Sequence, residues 1–221
     1  MTRRGRFVVL EGLDGAGTTT QAALLAEGLR RAGHLVVLTR EPSGGPVGAL
    51  LRQELGGQLR RAGKPRLSNV ALALLFAADR LDHLASTVER GLARGAVVVS
   101  DRYVLSSFAY QGRELGQRWV EMLNGHARPP DLTLFLEVRP RVAATRRRLR
   151  GGRKERFEDA RTQAAVARAY KVAIGRHART QHVHLIDGEL GVEAVAVQVQ
   201  GAVAQMLGRQ GRTRRTRRRL R

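Results

Sequence analysis

Residues 7–21 read FVVLEGLDGAGTTTQ, an apolar run that passes through a glycine-rich turn into the start of a helical pattern. This order of strand, glycine loop and helix is the context that a phosphate-binding loop requires. Gly12 and Gly17 have the spacing of the two glycines in the motif G-x-x-x-x-G-K-[ST]. Glycines let the backbone curl until its N–H groups face a phosphate, and the helix terminus adds its own N–H groups. We predict a phosphate-binding loop here, the alternative being a merely structural turn.

The loop departs from the motif at one position, because Thr18 stands where the motif has Lys. Thr19 follows at the position whose hydroxyl ligates Mg²⁺ in such loops. Loss of one preorganised donor at a transition state can lower a rate by roughly 10²–10³. Thr18 offers a hydroxyl but no charge, so the sequence leaves the catalytic competence of the loop open.

The chain has 221 residues, no cysteine and a formal net charge of +21. This length suits one domain with a full hydrophobic core. The absence of cysteine excludes disulfides, thiolate metal sites and cysteine nucleophiles, and it fits a reducing compartment. No segment approaches the ~20 apolar residues of a membrane span, and the basic start followed by a short apolar run predicts a first strand rather than a signal peptide. We expect a cytoplasmic protein.

Residues 209–221 contain eight Arg and no acidic residue, and removing them leaves 21 − 8 = +13. Such an excess suits a polyanionic partner or a polyphosphate substrate. We therefore divide the chain into a domain at 1–208 and an Arg-rich tail at 209–221. The tail has no aromatic residue on which bases could stack. It is either a disordered, solvated end or a site of weak electrostatic contact with RNA, DNA or anionic lipid.

Apolar runs alternate with helical patterns along the chain, which predicts a three-layer α/β/α fold with a mainly parallel, five-stranded sheet. Predicted strands begin at Phe7, Leu35, Ala96, Leu132 and Val183. Predicted helices cover residues 19–32, 47–55, 68–94, 118–124, 141–150, 158–179 and 192–207, with Ser68 as the cap of the third. Ligands bind at the carboxyl ends of such strands, so the loop at Gly12, Arg40, and Asp101 with Arg102 should line one crevice.

The predicted crevice is rich in arginine, and guanidinium groups match phosphate oxygens bidentately. Arg40, Arg80 and Arg102 together suggest a second phosphorylated ligand besides a nucleotide. Phe76 and Arg80 are four residues apart and share a helix face. This pair could stack on a base and hydrogen-bond to its edge, although Phe76 could equally belong to the core.

Five segments carry a resemblance in their order and spacing: EGLDGAGTTTQ at 11–21, TREP at 39–42, LFAADR at 75–80, DRYVLSSFAYQG at 101–112 and PDLTLFL at 130–136. Together they resemble the thymidylate kinase family over about residues 7–190. The resemblance implies a P-loop NTPase fold of the nucleoside monophosphate kinase type. It also implies ATP- and Mg²⁺-dependent transfer of the γ-phosphate to dTMP, giving dTDP for dTTP synthesis, by a homodimer joined through helix packing.

The resemblance also implies roles for single residues. ATP would be bound by the loop residues Gly12, Leu13, Asp14, Gly15, Ala16, Gly17, Thr18 and Thr19, and the Mg²⁺ shell by Thr19 and Asp101. The acceptor site would comprise Arg40, Phe76, Arg80, Arg102, Ser106, Tyr110 and Gln111. In this set Phe76 stacks on thymine, Arg80 and Gln111 read the base edge, and Arg40 and Arg102 hold the monophosphate. Tyr110 packs beneath the sugar and disfavours a 2′-hydroxyl, while Asp14 reaches the sugar hydroxyl.

Residues 150–157 correspond to the family's lid, and Glu155 to Glu158 are similar to its Asp-Arg-x-Glu element. Some family members place a catalytic Arg directly after the loop Asp, where this chain has Gly15. The resemblance therefore implies that Arg153 and Arg156 supply the missing charge. With Asp14 and Arg102, they complete the expected catalytic set.

Two alternatives to a dTMP kinase remain open. A deoxynucleoside kinase would need a carboxylate base, for which Glu41 is placed, whereas Arg40 and Arg102 favour a phosphorylated acceptor. A weak or inactive nucleotide-binding relative with a nucleic-acid-binding tail is kept open by Thr18.

Overall fold

The five strands of the sheet are β1 (Arg6–Gly12), β2 (Val36–Arg40), β3 (Val97–Asp101), β4 (Leu132–Glu137) and β5 (Val183–Asp187). The computed structural model describes residues 5–59, 66–151 and 156–218, with side chains to Gly208. Within these residues the strands form one sheet in the order β2-β3-β1-β4-β5. Every neighbouring pair is parallel, as the alternating pattern predicted.

The central strands are buried along almost their whole length, which explains their near-continuous apolar sequences. Leu10 of β1 pairs with Asp101 of β3 on one side and with Leu134 of β4 on the other. The carboxyl ends of these three strands therefore meet at one edge of the sheet. The segments that follow them are brought together there.

Ten helices are described: α1 (Thr18–Arg31), α2 (Pro46–Leu55), α3 (Asn69–His83), α4 (Glu89–Ala93), α5 (Val104–Tyr110), α6 (Gly112–Leu115), α7 (Gln117–Leu123), α8 (Pro140–Arg150), α9 (Ala160–His177) and α10 (Val192–Arg218). They flank the sheet, which gives the predicted three-layer α/β fold. Helices α1 and α10 pack on each other and on the sheet, and α5 packs on both α9 and β1. Among the described residues, no helix combines the length and the apolar character needed to cross a bilayer.

The single helix predicted over 68–94 is divided into α3, a π-helical stretch at Leu84–Val88, and α4. Its predicted cap is confirmed, because the Ser68 side chain accepts a hydrogen bond of 3.1 Å from the Ala71 N–H. Two helices, α5 and α6, lie where the sequence predicted only a polar-aromatic segment.

Helix α5 was not predicted because the residue that caps it lies far away in the sequence. No side chain at its own N-terminus caps it. Instead, Oε1 of Glu11 on β1 accepts hydrogen bonds from the N–H groups of Tyr103 (2.9 Å) and Ser106 (3.1 Å). A cap supplied across 92 and 95 positions leaves no local signature.

The last helix also differs from its prediction. Helix α10 runs to Arg218, whereas the apolar pattern predicted an end at Leu207, so the backbone is helical into the segment that was expected to be disordered. The division into a domain at 1–208 and a tail at 209–221 stays a prediction.

Replacement of Ser68 by Ala removes the cap of α3, the helix that carries Phe76 and Arg80. We expect the free energy of unfolding to fall by about 1 kcal/mol, measured as a shift of the urea midpoint. Ser86→Ala is the matched control, because Ser86 is exposed and caps no helix. Equal stability of the two variants would contradict the capping role.

Candidate active site

The phosphate loop lies between the end of β1 and the start of α1. Gly15 (φ 88°) and Gly17 (φ 101°) adopt left-handed backbone conformations, which favour glycine. Gly17 is the N-cap of α1, and no side chain caps this helix. The first N–H groups of α1 are therefore left to face a ligand, as the predicted phosphate-binding loop requires.

A broad cleft, here called the donor cleft, opens above this loop. It is lined by residues 14–21 and by three arginines of α8: Arg146, Arg147 and Arg150. Residues Gly188 to Val192 close its other side. Three guanidinium groups beside free helix N–H groups create a site for a polyanion such as a nucleotide's phosphate chain.

Helix α8 is held in place at its N-terminus by an ion pair. Glu189 accepts hydrogen bonds from the Arg139 backbone N–H (2.7 Å) and from its guanidinium. The hydrogen bonds from Arg139 lower the pKa of Glu189 to about 2. The stabilising effect is present above the ordinary Glu pKa and is lost only as the pH falls towards 2, so the anchor of α8 is intact near neutral pH.

A second cavity, here called the acceptor cleft, adjoins the donor cleft. Its cavity volume is about 130 Å³. The predicted acceptor residues that line it are Phe76, Arg80, Arg102, Ser106, Tyr110 and Gln111. The structure thus brings together six of the seven residues that the sequence assigned to the acceptor.

The seventh residue, Arg40, lines neither cleft. Strand β2 continues through Arg40, two residues beyond its predicted end at Leu38, and successive side chains of a strand point to opposite faces. The side chains of Thr39 and Glu41 both hydrogen-bond to His83 of α3. Arg40 therefore points the other way and is exposed, and Glu41 is the residue that enters the acceptor cleft.

Asp14 and Arg102 line both clefts and mark the junction between them. Oδ1 of Asp14 accepts a hydrogen bond of 2.6 Å from Nη2 of Arg102. Oδ2 accepts hydrogen bonds from the Tyr110 hydroxyl (2.9 Å) and from Nε2 of Gln163 (2.7 Å). These described partners thus fix the orientation of the Asp14 carboxylate at the junction of the two clefts.

The backbone of Arg102 has φ 72°, an uncommon conformation for a residue other than glycine. It is held there by a hydrogen bond from its N–H to the Leu10 carbonyl (2.8 Å), while Nη1 donates to the Gly12 carbonyl (3.0 Å). Burial is the largest single effect and lowers the pKa of Arg102, but interactions with Asp14, Tyr110, Tyr170 and Asp101 together outweigh it and raise this pKa well above its ordinary value. The guanidinium is fixed and permanently charged.

Tyr110 and Ser106 are already engaged within the protein. Burial, with Asp14 as a second cause, raises the pKa of Tyr110, so its phenol stays protonated and donates to Asp14. The Ser106 hydroxyl donates to Oε2 of Glu11 at 2.6 Å. Burial raises the pKa of Glu11, against the opposing effect of hydrogen bonds from Ser106 and the charge of Arg102. Tyr110 and Ser106 are thus held in the wall of the acceptor cleft by these contacts.

The residues predicted to recognise a base differ in how many of their hydrogen-bonding groups are already engaged. Arg80 is buried and donates to Glu41 (2.7 and 3.0 Å), to Ser107 (3.1 Å) and to Asn124, which leaves one N–H of Nη1 for a ligand. Phe76 is half-buried with its ring on the cleft. The sequence left open whether Phe76 is core or cleft, and the structure places it at the cleft wall.

A divalent cation fits beside Thr19 and Asp101. The Thr19 hydroxyl donates to Oδ2 of Asp101 at 2.5 Å, and Oδ1 of Asp101 is buried without a hydrogen-bond partner. An orphaned carboxylate oxygen next to a hydroxyl at a phosphate loop suits Mg²⁺, which takes one or two carboxylates together with substrate phosphates. In the described part of the chain, no three His, Cys, Asp or Glu side chains form a metal cluster, and this mode of Mg²⁺ binding needs none.

Of the two predicted lid arginines, Arg156 alone lies within the described residues. Arg153 lies outside those residues. Arg156 lines the acceptor cleft, and its guanidinium donates to Glu54 (3.1 Å), the Leu67 carbonyl (2.8 Å) and Asn69 (2.8 Å). These contacts tie Arg156 to α2 and to the start of α3, so its described role is to join elements.

Sequence reasoning did not single out Gln163, Arg146 or Arg147, whereas Arg150 of α8 was included in the predicted lid. Gln163 donates to Asp14, to Tyr110 (3.3 Å) and to the Phe157 carbonyl (2.9 Å) from a position 149 residues after Asp14. Nothing in its local sequence signals this role. The basic character of α8 was visible, and its place after the carboxyl end of β4 could have directed it to the donor cleft.

Replacement of Arg156 by Ala tests its joining role. It leaves the buried Glu54 carboxylate without its ion-pair partner, and we expect a loss of about 3 kcal/mol in the free energy of unfolding. Glu54→Gln in the same chain should recover part of this loss, because the unpaired charge is then removed. Urea denaturation measures both effects, and stability equal to that of the unchanged chain would contradict the pairing.

Comparison with known proteins agrees with this architecture. A family model described as thymidylate kinase matches residues 10–199. The thymidylate kinase of Ruegeria pomeroyi is 40% identical over 215 residues, covering 95% of this chain and 99% of that protein. The thymidylate kinase of Bordetella pertussis is 38% identical over 217 residues, covering 94% of this chain and 98% of that protein. A probable thymidylate kinase of Pyrococcus abyssi is 44% identical over 153 residues, covering 69% of this chain and 74% of that protein. The chain therefore belongs to the thymidylate kinase family of phosphotransferases.

Proposed function

We propose that this protein transfers the γ-phosphate of Mg²⁺-bound ATP to dTMP, giving ADP and dTDP for dTTP synthesis. The observation that carries the proposal is the junction of the two clefts at Asp14 and Arg102. A donor held by the phosphate loop and an acceptor held beside Phe76 would present their phosphates to each other there. The names of the relatives, thymidylate kinases, support dTMP as the acceptor.

The acceptor cleft offers a group for each part of a deoxynucleoside monophosphate. Phe76 presents a ring to a base, and Arg80 and Gln111 present hydrogen-bonding groups to its edge. Tyr110 and Asp14 form the wall against which the sugar would lie. Arg102 would hold the monophosphate, since its charge faces the junction.

The reaction needs alignment and charge neutralisation rather than a base. An acceptor phosphate has a second pKa of about 6, so one of its oxygens is a nucleophile at neutral pH. That oxygen forms a bond to the γ-phosphorus, and the bond to the oxygen bridging the β- and γ-phosphates breaks, which releases ADP. Arg102 and the N–H groups of the loop offset the repulsion between the two anions. When bound by Thr19 and Asp101, Mg²⁺ supplies further neutralisation of phosphate charge.

The two alternatives from the sequence are less well supported. A deoxynucleoside kinase would use Glu41 as a base, but its carboxylate is buried and bonded to Arg80 and His83. A binding protein without turnover remains the alternative that Thr18 suggests. Cytoplasmic location and an electrostatic partner for the Arg-rich tail stay predictions.

We further propose a homodimer through an apolar stripe on α3. Val70, Leu74 and Leu81 lie on one face of this helix and are 45%, 48% and 42% exposed. Leu50 of α2, the helix that packs on α3, is also 38% exposed. Contiguous exposed apolar side chains of this kind are typical of protein–protein contacts, and a second copy of α3 would cover them.

Coupled ADP release by the purified chain tests the proposed reaction, with ATP, Mg²⁺ and either dTMP or thymidine. We expect release with dTMP, no release with thymidine, and loss of activity on chelation of Mg²⁺. Arg102→Ala should lower kcat by roughly 10²–10³, because a fixed charge at the junction is lost.

Arg148→Ala is the matched control, since Arg148 is exposed on α8 and lines neither cleft. Phosphorylation of thymidine at a comparable rate would favour the deoxynucleoside kinase. Binding of ATP and dTMP without ADP release would make the protein a nucleotide binder.

Leu74→Glu places a charge in the α3 stripe and should convert the dimer to a monomer, as measured by analytical ultracentrifugation at micromolar concentration. Val172→Glu is the control, because Val172 of α9 is 55% exposed but lies outside the stripe. A monomeric unchanged chain, or equal effects of the two variants, would sink the proposal.

A further inference from the structure

The phosphate loop lacks its own cation in this chain. Thr18 begins α1 and is 5% exposed. Its Cγ2 atom lies 3.4 Å from the place that a Cβ on Gly12 would occupy, so the side chain packs into the base of the loop. In the motif, the Lys at this position reaches the β- and γ-phosphates. A phosphate chain bound here needs its charge offset by a residue from elsewhere.

Helix α8 lies directly on the loop because residue 15 is glycine. A Cβ on Gly15 would overlap the carbonyl oxygen of Ala143 and would lie 2.9 Å from Cγ of Arg147. The absence of a side chain at Gly15 lets the Arg147 side chain cross the loop. The carbonyl of Asp14 is one residue away and accepts a hydrogen bond from Nη1 of Arg147.

Arg147 is the best placed of the three α8 arginines in the donor cleft. Arg150 is ion-paired with Glu158, whereas Arg146, like Arg147, has backbone carbonyls as its described acceptors, namely those of Gly188 (2.7 Å) and Ala16 (3.4 Å), and it donates no described hydrogen bond to Asp14. Arg147 has no ion pair among the residues that the structure describes, and its described acceptors are backbone carbonyls. Its guanidinium has five N–H donors, so several are left for a ligand.

The contact with Asp14 also places Arg147 at the correct end of the phosphate chain. Asp14 lies at the junction of the clefts, where the terminal phosphate must be for transfer to an acceptor. Arg102 binds the side chain of Asp14, and Arg147 binds its backbone carbonyl. The two guanidinium groups therefore reach the same residue, one from the β3 side and one from α8.

We propose that Arg147 takes the place of the missing loop lysine and contacts the β- and γ-phosphate oxygens of the bound nucleoside triphosphate. This inference rests on the proposed function, since it assumes a triphosphate in the donor cleft. Under this proposal, a cation at either position 18 or position 147 is needed to offset the charge of the β- and γ-phosphates.

A double-mutant cycle tests the pair, with the variants Arg147→Ala, Thr18→Lys and the combination, and Arg148→Ala as the matched control on the same helix. Arg147→Ala should lower kcat by roughly 10²–10³ and leave the KM for dTMP nearly unchanged, because Arg147 does not line the acceptor cleft. Thr18→Lys should raise kcat at least tenfold more in the Arg147→Ala background than in the unchanged chain.

Calorimetric titration with ATP and AMP gives a readout that does not depend on turnover. Arg147→Ala should weaken ATP binding much more than AMP binding, because AMP has no β- or γ-phosphate. Arg147→Gln keeps a donor for the Asp14 carbonyl but removes the charge. Arg147→Gln should therefore show the same loss of ATP affinity, and it replaces Arg147→Ala in the titration if the Ala variant does not fold.

The inference is overturned if Arg147→Ala and Arg148→Ala have the same kcat and ATP affinity. It is also overturned if Thr18→Lys changes kcat by the same factor in the unchanged chain and in the Arg147→Ala variant. Failure of the proposed function is a separate result, namely no dTMP-dependent ADP release by the unchanged chain. In that event the comparison of ATP with AMP still decides whether Arg147 contacts the outer phosphates.

Discussion

The buried carboxylate of Glu11 links elements from three distant parts of the chain. It lies on β1, caps α5 through two backbone N–H groups, and accepts hydrogen bonds from the hydroxyls of Ser106 and of Tyr170 on α9. A buried carboxylate is costly unless it is well bonded, and four donors offset this cost. The same interaction fixes where α5 begins, and so fixes Ser106 and Tyr110 along the acceptor cleft.

Charge in the site is arranged around a second carboxylate. Asp14 is surrounded by Arg102, Tyr110 and Gln163, and these come from β3's end, α5 and α9. Arg102, Tyr110 and Gln163 all bond to the Asp14 carboxylate, so their side chains are fixed relative to one another. Preorganisation of this kind favours the transition state, because no further alignment is needed when the anions meet.

The parts of the site that could be predicted are those with a local signature. Glycine spacing revealed the phosphate loop, and apolar runs revealed the parallel sheet whose strand ends collect the ligand-binding segments. Arg40 lies outside both clefts because β2 continues through it with alternating side chains, and its neighbour Glu41 faces the acceptor cleft instead. Gln163 and Arg147 contact Asp14 across 149 and 133 positions, and although the basic character of α8 is visible, no local pattern identifies Asp14 as the partner of either residue.

The close packing of α8 on Gly15 has a steric consequence for the chemistry of the loop. Any larger residue at position 15 would meet the backbone of α8 at Ala143 and push the helix outward. An arginine at position 15, the arrangement expected of some relatives, would therefore add a positive charge to the loop. Because it would displace α8, it would also move the guanidinium of Arg147 away from the loop. The two ways of supplying the cation exclude each other in this architecture. A chain that has its cation on α8 can change to a cation at position 15 only if the loop residue is replaced and α8 is displaced at the same time.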